Sequence, residues 1–403
     1  MQTPVLTCLS RCLLLAALSA GGAAQAQITP WSDALIAPVD PAQPLRWHAG
    51  AQWQHDNNVL RSSQGAVADH IWVANAGVRF DQTYSLQRVE LRADLDAYRY
   101  DRSSGLNFNA ANYLAAWHWA WGPQWSGRLS SERRQWVDRL GDVSATGLIR
   151  RTETTDQAQA LYRLSPSWRA LAGAYERRLD NTDPRGQEPN STVRGGELGV
   201  RYLLPSDSNV GYRMRQGQGS YSGASAVAVS GDFTEREHVF DGSWMATGAL
   251  RMQGQFGHLA REHAQAPGRD FSGWLGRLGA QWQITGKTSV SAGLVRELAA
   301  YQTLDASYFE GYRLYVAPQW QAGAKTWLRV RLEQGQRQYK GAPPGALASG
   351  RQDRLSISSL ELQWQPLRAL NLIASVQRDE RRSNITGADF RARIFAVSAQ
   401  ANF

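Results

Sequence analysis

Residues Ala388 to Phe403 read ADFRARIFAVSAQANF, and from Phe395 onward they alternate without a break. Phe395, Val397, Ala399, Ala401 and Phe403 share one side, and Ala396, Ser398, Gln400 and Asn402 share the other. A period of two is that of an extended strand. One face suits hydrocarbon, the other suits water, and the stretch ends on an aromatic residue. A soluble sandwich can also contain an amphipathic strand, so the reading turns on whether the rest of the chain repeats the pattern.

It does. Trp47, Ala49, Ala51 and Trp53 alternate with His48, Gly50 and Gln52, and Trp72, Ala74, Ala76, Val78 and Phe80 alternate with Asn75, Gly77 and Arg79. The third segment carries the most weight. Val89, Leu91, Ala93, Leu95 and Ala97 interleave with Arg88, Glu90, Arg92, Asp94 and Asp96. A soluble core cannot bury five successive charged positions on one face, so that face meets water or charged partners. Hairpins of the same kind follow to the end of the chain.

Short turns near residues 83, 123, 166, 206, 248, 286, 324 and 367 alternate with longer polar stretches. Those stretches are 56–69, 101–109, 138–149, 180–191, 220–231, 263–269, 302–307, 340–350 and 381–388. Short turns on one side and long loops on the other mark an outer-membrane barrel. The expected fold is therefore all-β: a transmembrane antiparallel up-and-down β-barrel of about 18 strands, with 16 as the alternative. The last strand must pair with the first to abolish edges. Leu355 to Leu360 breaks the phase, which predicts a bulge there.

Residues 1–26 read as a secretory signal, with Arg11, the apolar Leu13 to Leu18 and the Ala24-Gln25-Ala26 cleavage site. Residues 27–44 are expected to be a periplasmic lead-in, and 45–403 the barrel. Cys8 and Cys12, the only cysteines, leave with the signal, which removes disulfide and thiolate chemistry. The mean hydropathy is negative, which excludes a helical membrane protein but suits a barrel, where only alternate residues need be apolar. Sixteen Trp and 14 Tyr suit aromatic girdles at the two interfaces. The net charge of +9 is carried by arginine, with lysine only at Lys287, Lys325 and Lys340. These features place the chain in the outer membrane of a Gram-negative bacterium. Its expected partners there are lipid, lipopolysaccharide and the barrel-insertion machinery, with Phe403 as the assembly signal; nucleic acid is not among them.

Enzyme chemistry has little to rest on. None of the seven histidines sits in a lipase or protease motif. His118 and His258 fall on apolar faces, and Asp56 beside His55 reads as a solvated pair at a strand end. No catalytic residue, metal site or cofactor is expected. The lumen is the informative surface. Alternation assigns to it Arg46, Arg79, Arg88, Arg92, Arg128, Arg134, Arg201, Arg213, Arg251, Arg277, Arg313, Arg329 and Arg331, with Asp94, Asp96 and Glu132 among the acidic partners. Salt bridges across the wall account for many of these; the excess of arginine leaves a positive lining that attracts anions. Gln52, Gln253, Gln255, Gln319 and Tyr315 add groups suited to sugar hydroxyls and ring faces.

The signal, the stretch His55-Asp56-Asn57-Asn58-Val59-Leu60-Arg61 after the first strand, the arginine-rich hairpins and the terminal Phe together resemble the EpsL-like barrels of exopolysaccharide operons. That resemblance implies a non-enzymatic outer-membrane component of polysaccharide biosynthesis or export, with a polysaccharide as partner. It supplies no site residue. The alternatives are a general or sugar-selective diffusion porin and, third, an outer-membrane enzyme or adhesion scaffold.

Overall fold

The computed structural model describes residues 43–137, 149–182, 189–204, 206, 208–223, 231–300, 308–341 and 350–403. The segment read as signal and lead-in lies outside the described residues up to position 42.

Extended, alternating segments become strands throughout. The first six are β1 (Leu45–Asp56), β2 (Asp69–Tyr84), β3 (Gln87–Tyr100), β4 (Phe108–Trp121), β5 (Trp125–Val137) and β6 (Arg150–Arg163). Next come β7 (Trp168–Asn181), β8 (Asn190–Leu203), β9 (Asn209–Ser222), β10 (Asp232–Thr247), β11 (Leu250–His263) and β12 (Phe271–Gln283). The chain ends with β13 (Thr288–Ala300), β14 (Tyr308–Gly323), β15 (Thr326–Lys340), β16 (Gln352–Leu367), β17 (Leu370–Ser383) and β18 (Phe390–Asn402). All neighbours pair antiparallel in chain order, in one 18-stranded sheet.

The sheet closes on itself. β1 and β18 pair from His48↔Asn402 to Asp56↔Ile394. The Trp47 and Phe403 backbones exchange reciprocal hydrogen bonds of 2.8 and 3.0 Å. Closure leaves no edge with unpaired amides, a condition for a sheet that crosses hydrocarbon. The stretch His55–Arg61 reinforces the seam. Asn57 donates its amide to the Arg393 carbonyl at 3.1 Å, and its side-chain oxygen accepts the Arg393 amide at 2.7 Å. The Asn58 side chain donates to the carbonyls of Ser62 and Arg391. Asp56 is not a solvated partner of His55: it is 2% exposed, held by Arg61 at 2.8 Å and by the Asn58 amide.

One face of every strand points out of the barrel. Around the short-turn end stand Trp47, Tyr84, Trp121, Trp125, Trp168, Trp244, Trp282, Trp320 and Trp364, all exposed. Toward the long loops Trp72, Tyr113, Trp274 and Tyr312 form a second ring. Exposed Leu, Val and Phe fill the band between, including Leu91, Leu294, Leu314, Leu332 and Leu360. An apolar band between two aromatic girdles is what an outer-membrane barrel presents to lipid. Leu355–Leu360 contains no bulge: the β15–β16 register runs without a shift from Thr326↔Trp364 to Gln338↔Gln352. The phase break is compositional, because Leu355 and Ile357 face inward. Register shifts occur instead at Met245/Thr247, Gln321/Gly323 and Trp364/Leu367, each beside a short turn.

Candidate functional site in the lumen

Alternation fixes the inner wall. The arginines and carboxylates assigned to it from the sequence all lie on the face opposite the apolar band, and most meet one another there. Arg88 grips Asp81 with two bonds of 2.7 Å, and Arg92 binds Asp94 at 2.7 Å. Arg79 lies 3.6 Å from Glu90, and Arg134 reaches Glu132 at 2.5 Å. Arg201 and Arg213 share Asp241 at 3.4 and 3.6 Å. Arg313 spans Glu297 and Glu333, Arg331 also binds Glu333, and Arg329 binds Glu361 at 2.8 Å. Asp96 accepts the Asn75 amide at 2.7 Å. Some partners stand two apart on one strand (Arg92 and Asp94, Glu132 and Arg134, Arg331 and Glu333) and others on neighbouring strands, so much of the wall neutralises itself.

Three of the assigned arginines have no bridging carboxylate among the described residues. Arg128 stands across from His118 on β4–β5, and Arg251 is exposed near the short-turn end of β11. Arg277 donates to the Gln255 oxygen at 2.5 Å. The β11–β12 register sets Arg251 across from Gln281, Gln253 from Gly279 and Gln255 from Arg277. The result is a strip of guanidinium and amide groups. Beside it the Tyr315 ring covers Gly293, where a Cβ would fall only 2.4 Å from the ring, and Arg331 stacks on that ring at 4.4 Å. Arg46 lies across from Arg79 in the β1–β2 register. Gln52 is 2% exposed and bonds Gln54, so it presents little to the lumen.

The loop end of the lumen is narrowed by described loops. Val59 and Val67, from the connection after β1, pack with Leu106 on Ile71 and Val73 of the inner wall. Arg61, at φ 54°, carries its guanidinium across the Phe390 ring at 5.9 Å. The 3-10 turn Pro267–Arg269 sits by the inner ends of β9 and β11, where Asp270 accepts from the His263 amide at 2.7 Å. Burial there pushes the Arg269 guanidinium pKa below its ordinary value. Below it, Arg261 binds Glu235, donates to the Tyr221 hydroxyl at 3.1 Å and lies between the Phe233 and Phe271 rings. Arg177 reaches the same Glu235 at 3.2 Å.

Arg177, Arg215, Glu235 and Arg261 also line the inner face, and alternation alone carries the signal for Arg215 and Arg261, which share parity with Arg213 and Arg251. His118 is a correction. It faces inward, 5% exposed and 3.9 Å from Glu90, because the outward side of β4 belongs to Tyr113, Trp117 and Trp121. His258 does lie on the outer face, edge-on to Trp274.

No protein-family model matches the sequence, and no curated protein does either. Among solved structures the chain is similar to OccK1 (OpdK) of Pseudomonas aeruginosa, at 10% identity and a TM-score of 0.51, over 89% of this chain and 99% of that one. OpdK with vanillate gives 10% identity and a TM-score of 0.50 over the same shares. A BenF-like porin from Pseudomonas fluorescens Pf-5 gives 11% and 0.49, over 89% and 98%. The fold shared with OpdK is the closed outer-membrane β-barrel.

Proposed function

We propose that this barrel is a passive diffusion channel for small polar solutes, with a preference for organic anions. The observation that carries the reading is the β11–β12 strip, where Arg251 and Arg277 face the lumen without a bridging carboxylate among glutamine amides. Elsewhere guanidinium charge is largely cancelled by Asp and Glu, so the unbridged arginines dominate the local field. Solvent reaches the wall: the side chains of Arg134 and Arg331 are 45% and 39% exposed. Among the described residues, the strands make their main contacts with their sheet neighbours. A guanidinium offers two parallel donors to a carboxylate. OpdK, of the same fold, has been solved with vanillate.

Exopolysaccharide export, which the EpsL-like layout implies, draws its one local motif from His55–Arg61. That segment's side chains are engaged in sealing β1 to β18, so it speaks for closure and gives export no separate support. The test is uptake by liposomes containing the folded barrel. Benzoate-sized anions should enter faster than neutral sugars of equal size, and Arg251→Gln with Arg277→Gln should reduce that preference several-fold. Equal rates for anion and sugar in both proteins would refute the proposed selectivity.

A further inference from the structure

Outside the lumen, the outer face of β16–β18 changes character within one step along the strands. Leu360, Val376 and Phe395 lie side by side in register and are exposed, at the edge of the apolar band. The next outward positions are about 7 Å farther toward the loops. There Arg378 stands across from Arg393; above them Glu380 stands across from Arg391, and Arg382 across from Arg354. Two carboxylates belong to this patch, Glu380 and the exposed Asp389 one outward step beyond Arg391. Glu380 binds Arg378 at 2.9 Å, Arg382 at 2.8 Å and Arg391 at 3.4 Å. The three side chains remain 52%, 71% and 70% exposed, and Arg354 and Arg393 are exposed as well. Five guanidiniums against two carboxylates leave a positive excess on a convex surface that nothing described covers.

Position identifies the occupant. The patch sits directly above lipid-facing Val376 and Phe395 on the long-loop side, at the height of the outer-leaflet headgroups. A diphosphorylated headgroup complements it in charge, in spacing along two strands and in the planar, bidentate donors that arginine presents to phosphate. On the far wall Arg178 and Arg194 flank Glu176, and Asp156 stands across from it, so the same height there is close to balanced. We infer that Arg354, Arg378, Arg382, Arg391 and Arg393 form a docking site for the phosphorylated headgroup of lipopolysaccharide, with its acyl chains along the apolar band below. This role is independent of what passes through the lumen.

Native mass spectrometry of the folded full-length barrel in neutral detergent, titrated with bisphosphorylated lipid A, tests it. Wild type should retain one lipid A at a concentration about tenfold or more below that needed by the Arg378→Gln/Arg391→Gln/Arg393→Gln variant, and retention should weaken with salt. Wild type should also hold bisphosphorylated lipid A far better than fully dephosphorylated lipid A, a comparison that stands even if the variant folds poorly. Equal retention of both lipids by wild type would overturn the inference. So would displacement by millimolar inorganic phosphate, which would mean a simple anion site, or a change of oligomeric state in the variant with lipid A retention unaltered, which would mean an interface between copies.

Discussion

Arg261 is withdrawn from water, 8% exposed between two aromatic rings, and its charge is met by Glu235 at the inner ends of β10 and β11. A buried pair of this kind costs much when one member is removed, because the other is left uncompensated. Glu235→Gln should lower barrel stability by about 3–5 kcal/mol, read as an earlier urea midpoint in detergent micelles. An unchanged midpoint would show that the Tyr221 hydroxyl and the Phe233 and Phe271 rings suffice to hold Arg261. The lumenal arginines divide in the same way. Arg88, Arg92, Arg329 and Arg331 each bind a carboxylate, so their joint replacement by Gln should depress the melting temperature. Arg251 and Arg277 are not bridged, and their replacement should alter ion preference with little effect on melting. A selectivity change from the first set at unaltered melting would reverse these assignments. Pairs two apart on one strand, such as Arg92–Asp94 and Arg331–Glu333, are legible in the sequence, but cross-strand pairs are not, because they depend on the register and alternation fixes only the face. Asp81 beneath Arg88 and Glu361 beneath Arg329 are matched by register alone.

At the scale of the strand, period two was enough. Turn and loop positions follow from it, as do the strand number and both girdles, since each strand is amphipathic on its own account. The misreadings came where an apolar residue faces inward: Leu355 and Ile357 look like a slip in phase although the register is continuous. His118 erred the opposite way, as a polar residue counted with the tryptophans on either side of it. Leu91 lies in the middle of the outward stripe of β3, so Leu91→Arg should cost about 2–4 kcal/mol. Gln253→Arg, facing the lumen, should be tolerated, and refolding yields in detergent would distinguish the two. Equal damage would contradict the assignment of faces. Phe403 separates two roles. Its backbone closes the seam with Trp47, while its ring is 71% exposed. If the ring is the assembly signal, Phe403→Ala should lower the heat-modifiable outer-membrane form nearly as far as deletion does. If only the seam matters, Phe403→Ala should assemble normally and deletion alone should fail.

The whole molecule is a closed wall with different chemistry on its two surfaces. Outside, an apolar band carries a localised arginine patch above it. Inside, a neutralised charge ladder is interrupted by an unbridged guanidinium and glutamine strip, beneath a mouth narrowed from the β1–β2 and β11–β12 ends. The excess of arginine in the sequence did not reveal this division. Arg378, Arg391 and Arg393 contribute to the net charge as much as Arg251 and Arg277 do, yet they face lipid headgroups and not the lumen. A conducting barrel passes current, which single barrels in a planar bilayer under a potassium chloride gradient would show. The account predicts ohmic steps with a reversal potential displaced toward that of chloride, and a displacement reduced in Arg251→Gln/Arg277→Gln. Folded, heat-modifiable barrel that inserts and passes no current, or that prefers potassium, would contradict it.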